Sequence, residues 1–208
     1  LGGYPAMISI TAVLLIQCLL FADGGLLALG CNVFNMGLVA CLVAYPLIFQ
    51  PLLRKGITKS RLMLASILSV VVGLQLGAFS VVLETMASGI TKLPFLTFVA
   101  LMQPIHLAIG VVEGVITSAV LVYVHSVRPE LLESAQEAKP LERRLPLKKV
   151  LAALGVLTIL VGGGLSLLAS THPDGLEWAI GKTLSAGDSL EESSTGAYAA
   201  AEGIQQAT

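Results

Sequence analysis

Glu113 is the residue whose chemistry needs the most explanation, because it interrupts a long apolar run with a carboxylate. A charge at the centre of a membrane helix costs about 2.5–3.5 kcal/mol on insertion scales, so it has to be offset by packing or by function. Gln103, His106, Gly110, Glu113 and Thr117 recur every three or four residues, a period that puts them on one helix face. This polar face is expected to look into a helix bundle. Glu113 then either hydrogen-bonds to a neighbouring helix or serves a solute. His106 either caps and packs or ligates a metal. Asp23, Asn32, Asn35 and Glu84 supply further oxygen donors. Oxygen and imidazole donors together suit a divalent transition metal better than a sugar or a peptide.

The elements that must position these groups are membrane spans. The chain has 208 residues, 55% of them apolar, with 25 charged residues. Residues 1–53, 62–91, 93–127 and 150–173 make up 142 positions and contain three formal charges, Asp23, Glu84 and Glu113. The other 22 charges crowd into the remaining 66 positions. That is the pattern of spans of about 20 residues joined by wet loops, an all-α multi-pass protein of the cell membrane. It excludes a nucleic-acid binder and an amphipathic surface protein. The net charge of −1 hides opposite local excesses.

Five spans are expected, over 4–22, 32–53, 62–83, 105–127 and 150–171. The first two form a hairpin around Asp23-Gly24-Gly25. Pro104 is expected to divide residues 95–127 into a short outer segment and a full span. Between the second and third spans, residues 54–61 hold four basic residues and no acid; residues 128–149 hold six basic and four acidic ones. By the positive-inside rule both loops are cytoplasmic. The tail from His172 has six acids and one lysine and belongs outside, flexible beyond Thr183. Asp23, Asn32, Asn35, Glu84 and His106 then gather near the outer ends of their spans, with Glu113 about 10 Å deeper than His106 at 1.5 Å per residue. The bland alternative, that loop residues are polar because they are wet, accounts for Asp23 and Glu84 nearly as well.

Gly73 and Gly77, and Gly110 and Gly114, have the spacing that lets membrane helices approach closely. Cys18, Cys31 and Cys41 form no paired framework and read as small buried hydrophobes. The sequence holds no HExxH, GxSxG or Walker pattern, so no enzyme activity is expected, and energy for transport has to come from an ion gradient or a partner.

Four blocks carry a resemblance: LLIQCLLFADGGLLALGCNVFNMG (14–37), GAFSVVLE (77–84), PIHLAIGVVEGVIT (104–117) and RPELL (128–132). They resemble the CbiM/NikM substrate-binding membrane components of energy-coupling factor transporters for cobalt and nickel. His172-Pro-Asp-Gly-Leu-Glu177 looks like the PDGLE segment of the small accessory component, whose fusion here favours nickel. The resemblance implies residues 1–132 as the metal-binding membrane component, 133–149 as a cytoplasmic linker and 150–208 as the accessory segment. It implies Ni2+ or Co2+ as transported substrate with no permanently bound cofactor. The partners it implies are a membrane coupling component and two cytoplasmic ATPase subunits, within the lipid bilayer. The family's amino-terminal Met-His segment and a further histidine in a Gly-rich stretch supply metal ligands, and this chain matches neither. It therefore reads as the middle of a longer protein, with its primary ligands elsewhere. Asp23, Asn32, Asn35, Glu84, His106 and Glu113 match the family motif and are expected to shape the pocket or support the ligands. Asp174 and Glu177 are expected to meet the pocket mouth, or else to be part of a solvated acidic linker. Two other readings stay open, an ion-coupled carrier using Glu113 and a membrane anchor that assembles partners. Cys31 stands where the family usually has alanine.

Overall fold

The computed structural model describes residues 2–21, 25–89, 94–137, 147–160, 164 and 175–185. Among the described residues the chain is helical and has no strands. Helix α1 runs over Gly3–Phe21. Helix α2, which continues from Gly25–Asn32 through Val33–Phe49 and Gln50–Leu53, α3, Lys59–Ser88, and α4, Phe95–Val127, are, among the described residues, the three helices long and apolar enough to cross a membrane. Two shorter helices follow, α5, Pro129–Glu137, and α6, Leu147–Ile159. The chain's last described helix is α7, Gly175–Ser185.

Local sequence sets these boundaries. Gly56 takes φ +105° and closes the α2–α3 connection, where its N–H reaches the Leu53 carbonyl. Thr58 caps α3 by accepting the Arg61 N–H, which satisfies one of the donors a helix start leaves free. Arg61 Nη1 donates to the carbonyls of Lys55 and Gly56 and ties the basic loop to the helix. Gly89 ends α3 at φ +66°, a left-handed conformation that glycine adopts without a Cβ penalty.

Glycines set the packing. A Cβ on Gly77 would come within 2.9 Å of the Asn35 carbonyl oxygen, so α3 lies against the α2 backbone there. A Cβ on Gly114 would stand 3.0 Å from Ile67 Cα, and one on Gly110 3.2 Å from Val71 Cα, which brings α4 onto the opposite side of α3. Gly37 of α2 faces side chains of α1 instead, where a Cβ would stand 3.0 Å from Met7 Sδ and 3.1 Å from Ile10. The glycine pairs seen in the sequence thus lie at the α2–α3 and α3–α4 contacts. Large apolar side chains such as Leu19, Leu64, Leu76, Val112, Ile116 and Val120 point outward, the arrangement expected where lipid replaces water as the solvent.

Two buried clusters mark the ends of the bundle. Leu53, Leu62 and Ala65 form one beside the basic loop, with Leu132 of α5 packed against it. The other joins Ala78 and Val82 of α3, Phe98 and Met102 of α4, and Ala179 of α7.

Three expectations change. Residues 95–127 are one helix; Pro104 lies inside it without dividing it. Proline removes one donor and frees the carbonyl four residues earlier, that of Ala100, a local loss that membrane helices tolerate. The second helical segment begins at Gly25, not near Asn32, because Leu26 to Leu29 extend the apolar run. Part of the expected acidic tail is helix α7, whose Ala179 and Thr183 are buried. The expected span over 150–171 is described only in its first part, as α6, and the flexible tail beyond Ser185 lies outside the described residues.

Candidate metal-capture site

Helices α1 to α4 enclose a cavity of about 730 Å³. Six water molecules fill about 180 Å³ at their liquid volume, so a hydrated cation fits with room to spare. The walls are mostly aliphatic, and the polar groups come from different helices: Gln17 from α1, Asn32 and Asn35 from α2, Ser69 from α3, and His106, Glu113 and Thr117 from α4.

The α4 contribution follows from its periodicity. His106, Ile109, Glu113 and Thr117 all line the cavity, at spacings that stack them on one face. Gly110 and Gln103 belong to the neighbouring face, since Gly110 packs on Val71 and Gln103 hydrogen-bonds with the α3 backbone. The polar face expected from sequence therefore divides between solute space and helix contact.

The His106 Nδ1 lies 2.9 Å from the Met102 carbonyl oxygen. A carbonyl only accepts, so Nδ1 carries the hydrogen and donates, and Nε2 keeps its lone pair for a metal or a proton. Glu113 lines the cavity and is exposed, which puts its carboxylate on an open side.

Glu84 does not line the cavity. Its Oε2 accepts from Asn35 Nδ2 at 2.8 Å across the α2–α3 contact. Cys31 lies near the same carboxylate. Cys31 and Asn35 lie four residues apart on α2, so both reach α3 from one side. Cys31 itself is exposed, against the expectation of a buried hydrophobe, whereas Cys18 is buried.

Asp23 and Asp174 lie outside the described residues, as does the side chain of Glu177. Gly175, one residue after Asp174, lines the cavity, and a Cβ on it would stand 3.2 Å from Ile105 and Ile109 and 3.4 Å from His106. The start of α7 thus lies beside the histidine. Gln17 and Ser69 were not singled out by sequence; Gln17 was open to the same argument as Glu113, a polar group inside an apolar run. Among the described residues no three His, Cys, Asp or Glu side chains form a metal-holding group.

The family profile for the cobalt uptake substrate-specific transmembrane region matches residues 1–131. The chain belongs to the CbiM family. A PDGLE domain matches residues 148–208 of this CbiM-family chain, which takes in α6 and α7. Among curated relatives, a fused nickel transport protein NikMN of Archaeoglobus fulgidus is 31% identical over 83% of this chain and 55% of its own length. A fused nickel transport protein LarMN of Lactiplantibacillus plantarum is 29% identical over 86% of this chain and 54% of its own. A cobalt transport protein CbiM of Desulforamulus reducens is 35% identical over 61% of this chain and 51% of its own. The chain spans little more than half the length of these relatives. No solved structure gives a significant match.

Proposed function

We propose that this CbiM-family chain captures Ni2+ or Co2+ as the membrane component of an energy-coupling factor importer, with ATP hydrolysis carried out by two cytoplasmic partner subunits and relayed through a membrane coupling component. The observation that carries the reading is the cavity itself: a 730 Å³ space lined by an imidazole whose Nδ1 is engaged by the Met102 carbonyl, three side-chain amides and a carboxylate, drawn from three helices. A divalent transition cation matches that donor set. The names of the fused relatives favour nickel. In this reading residues 1–132 build the pocket, 133–149 link it on the cytoplasmic side, and 150–208 are the accessory piece.

Donor position supports the direction of transport. The cavity's amides and His106 lie toward the end of the bundle opposite the basic 54–61 loop, which the positive-inside rule puts in the cytoplasm. The site would then load from outside.

Glu113 at the cavity wall keeps an ion-coupled carrier as the second reading. Uptake of radioactive nickel and cobalt by cells expressing the complete protein separates the two. Uptake that stops when the partner ATPases are inactivated supports the importer. Uptake that survives this but collapses with the proton gradient supports the carrier. No metal uptake under either condition would leave the assembly anchor.

A further inference from the structure

Between Val33 and Phe49 helix α2 is wound as a π-helix, and at its end the Gln50 N–H meets the carbonyl of Tyr45, five residues back. Such winding is rare and mostly limited to single turns, which often mark functional sites; a run of 17 residues asks for a cause. The contacts of the segment carry the long period on three sides. Asn32, Met36, Ala40, Tyr45 and Phe49 line the cavity. Asn35, Ala40 and Ala44 meet Gly77 and Gly73 of α3, and Gly37, Cys41 and Tyr45 meet α1. Each set repeats every four or five residues. Wound as an α-helix, at about 100° per residue, the same segment would carry Tyr45 about 220° and Phe49 about 260° around the axis from Asn32, off the cavity wall.

Pro46 supplies a local cause. In α winding its ring would press on the Leu42 carbonyl four residues back. The wider turn avoids that contact, and the carbonyl left without a proline N–H is then that of Cys41. Gly3 of α1 lies against this carbonyl, where a Cβ would stand 2.7 Å from the oxygen. The consequence appears at the inner end of the segment. Tyr45 and Phe49 stack with ring centroids 5.6 Å apart, both on the cavity wall, and Phe49 also packs on the Leu53, Leu62 and Ala65 cluster beside the basic loop. The two rings therefore stand between the cavity and the inner end of the bundle.

We infer that Val33–Phe49 is a winding switch for the cavity. Wound as a π-helix, it holds the Tyr45 and Phe49 rings as the inner wall, and the enclosed cavity captures the cation. Wound as an α-helix, it turns the two rings away and uncovers that end. Met36 and Ala40 belong to the same segment, so rewinding also resets the wall around the ion. The inference rests on the metal-capture reading and adds to it the motion by which a captured ion loses its enclosure.

The test measures the length of the segment, since more residues per turn give less rise per residue. Spin labels at Gly30→Cys and Arg54→Cys, both exposed positions, flank it in the complete protein in metal-free lipid nanodiscs, with Cys18, Cys31 and Cys41 replaced by alanine. Pro46→Ala, which removes the ring that disfavours α winding, is expected to add a longer distance to the one seen in the parent. Should that variant misassemble, Pro46→Val serves the same arm. Titration calorimetry with Ni2+, on the unlabelled variants in the same cysteine-free background, reads the consequence. Affinity is expected to fall in proportion to the fraction still π-wound, about twofold when half the molecules have lengthened. A folded Pro46 variant whose distances match the parent's overturns the switch, and so does a lengthened variant whose Ni2+ affinity is unchanged; both leave the capture reading standing. A parent that binds neither Ni2+ nor Co2+ sinks the capture reading, and with it the link from winding to capture.

Discussion

Gln75 of α3 and Gln103 of α4 hydrogen-bond to each other's backbone carbonyls, at 3.0 Å from Gln75 and 3.4 Å from Gln103, one residue before Pro104. The pair is reciprocal because the two helices run antiparallel. Side-chain hydrogen bonds between membrane helices average about 0.6 kcal/mol and reach about 1.7 kcal/mol. Gln75→Leu is expected to lose about 1 kcal/mol of α3–α4 stability, read as a lower unfolding midpoint in detergent, with metal affinity unchanged because neither glutamine lines the cavity. An unchanged midpoint would mean that the pair adds nothing to the α3–α4 contact.

The glycine contacts predict a ranking. Gly77→Ala and Gly114→Ala force a methyl to within 2.9 and 3.0 Å of backbone atoms, and backbone cannot rotate away. Each is expected to cost about 1–3 kcal/mol, the usual range for overpacking. Gly73→Ala meets its nearest atom, Ala44 Cβ, at 3.5 Å, an ordinary contact, and is expected to be near neutral. Gly30→Ala meets nothing within 4 Å and is expected to be neutral or mildly stabilising through helix propensity. Unfolding midpoints of the four variants in one detergent give the order directly. A Gly73 variant as damaged as the Gly77 one would contradict the α2–α3 register.

Much of this arrangement was legible in the sequence because a bilayer makes charge expensive. Three acids in 142 apolar positions mark the helices, and the 3.6-residue period brings His106, Glu113 and Thr117 to one wall. The glycine pairs were equally legible, since only close backbone approach gives that spacing a use in lipid. Gly110 and Gln103 were grouped with the polar wall because periodicity fixes an angle around one helix and says nothing of where its neighbour lies; α3 occupies their side. Pro104 misled for a related reason. Its effect is local: it frees the Ala100 carbonyl and leaves the helix continuous on both sides. Helix α7 was hidden in an acidic, glycine-containing tail, and its burial depends on Val82, Phe98 and Met102, which sequence adjacency does not connect to it.

His106 and Glu113 separate by role. With Nδ1 engaged by Met102, Nε2 is the nitrogen that the proposed capture role leaves to a cation, so His106→Ala is expected to weaken Ni2+ binding at least about tenfold, within the range for losing a supporting contact. Glu113→Gln removes a charge but keeps the side chain's shape and an amide oxygen to accept with, and is expected to cost less than the histidine in affinity. If Glu113→Gln abolished uptake while leaving binding intact, the carrier reading would gain over the importer.

The docking of α7 gives a prediction that links the two matched regions of the chain. Ala179 is fully buried among Ala78, Val82, Phe98 and Met102. Ala179→Leu inserts three further carbons into that cluster and is expected to displace α7, at a cost of about 1–3 kcal/mol. Cysteine cross-linking reports the displacement. A Cβ at Gly175 would stand 3.2 Å from the ends of the Ile105 and Ile109 side chains, so the double variant Gly175→Cys with Ile109→Cys is expected to cross-link with a short bifunctional reagent, and adding Ala179→Leu is expected to reduce the yield severalfold. Because Gly175 lines the cavity beside His106, the displaced helix also uncovers that wall. Nickel exchange measured by stopped flow should then become faster in both directions, whereas equal rates with and without Ala179→Leu would mean that α7 packs on the bundle without restricting access to the cavity.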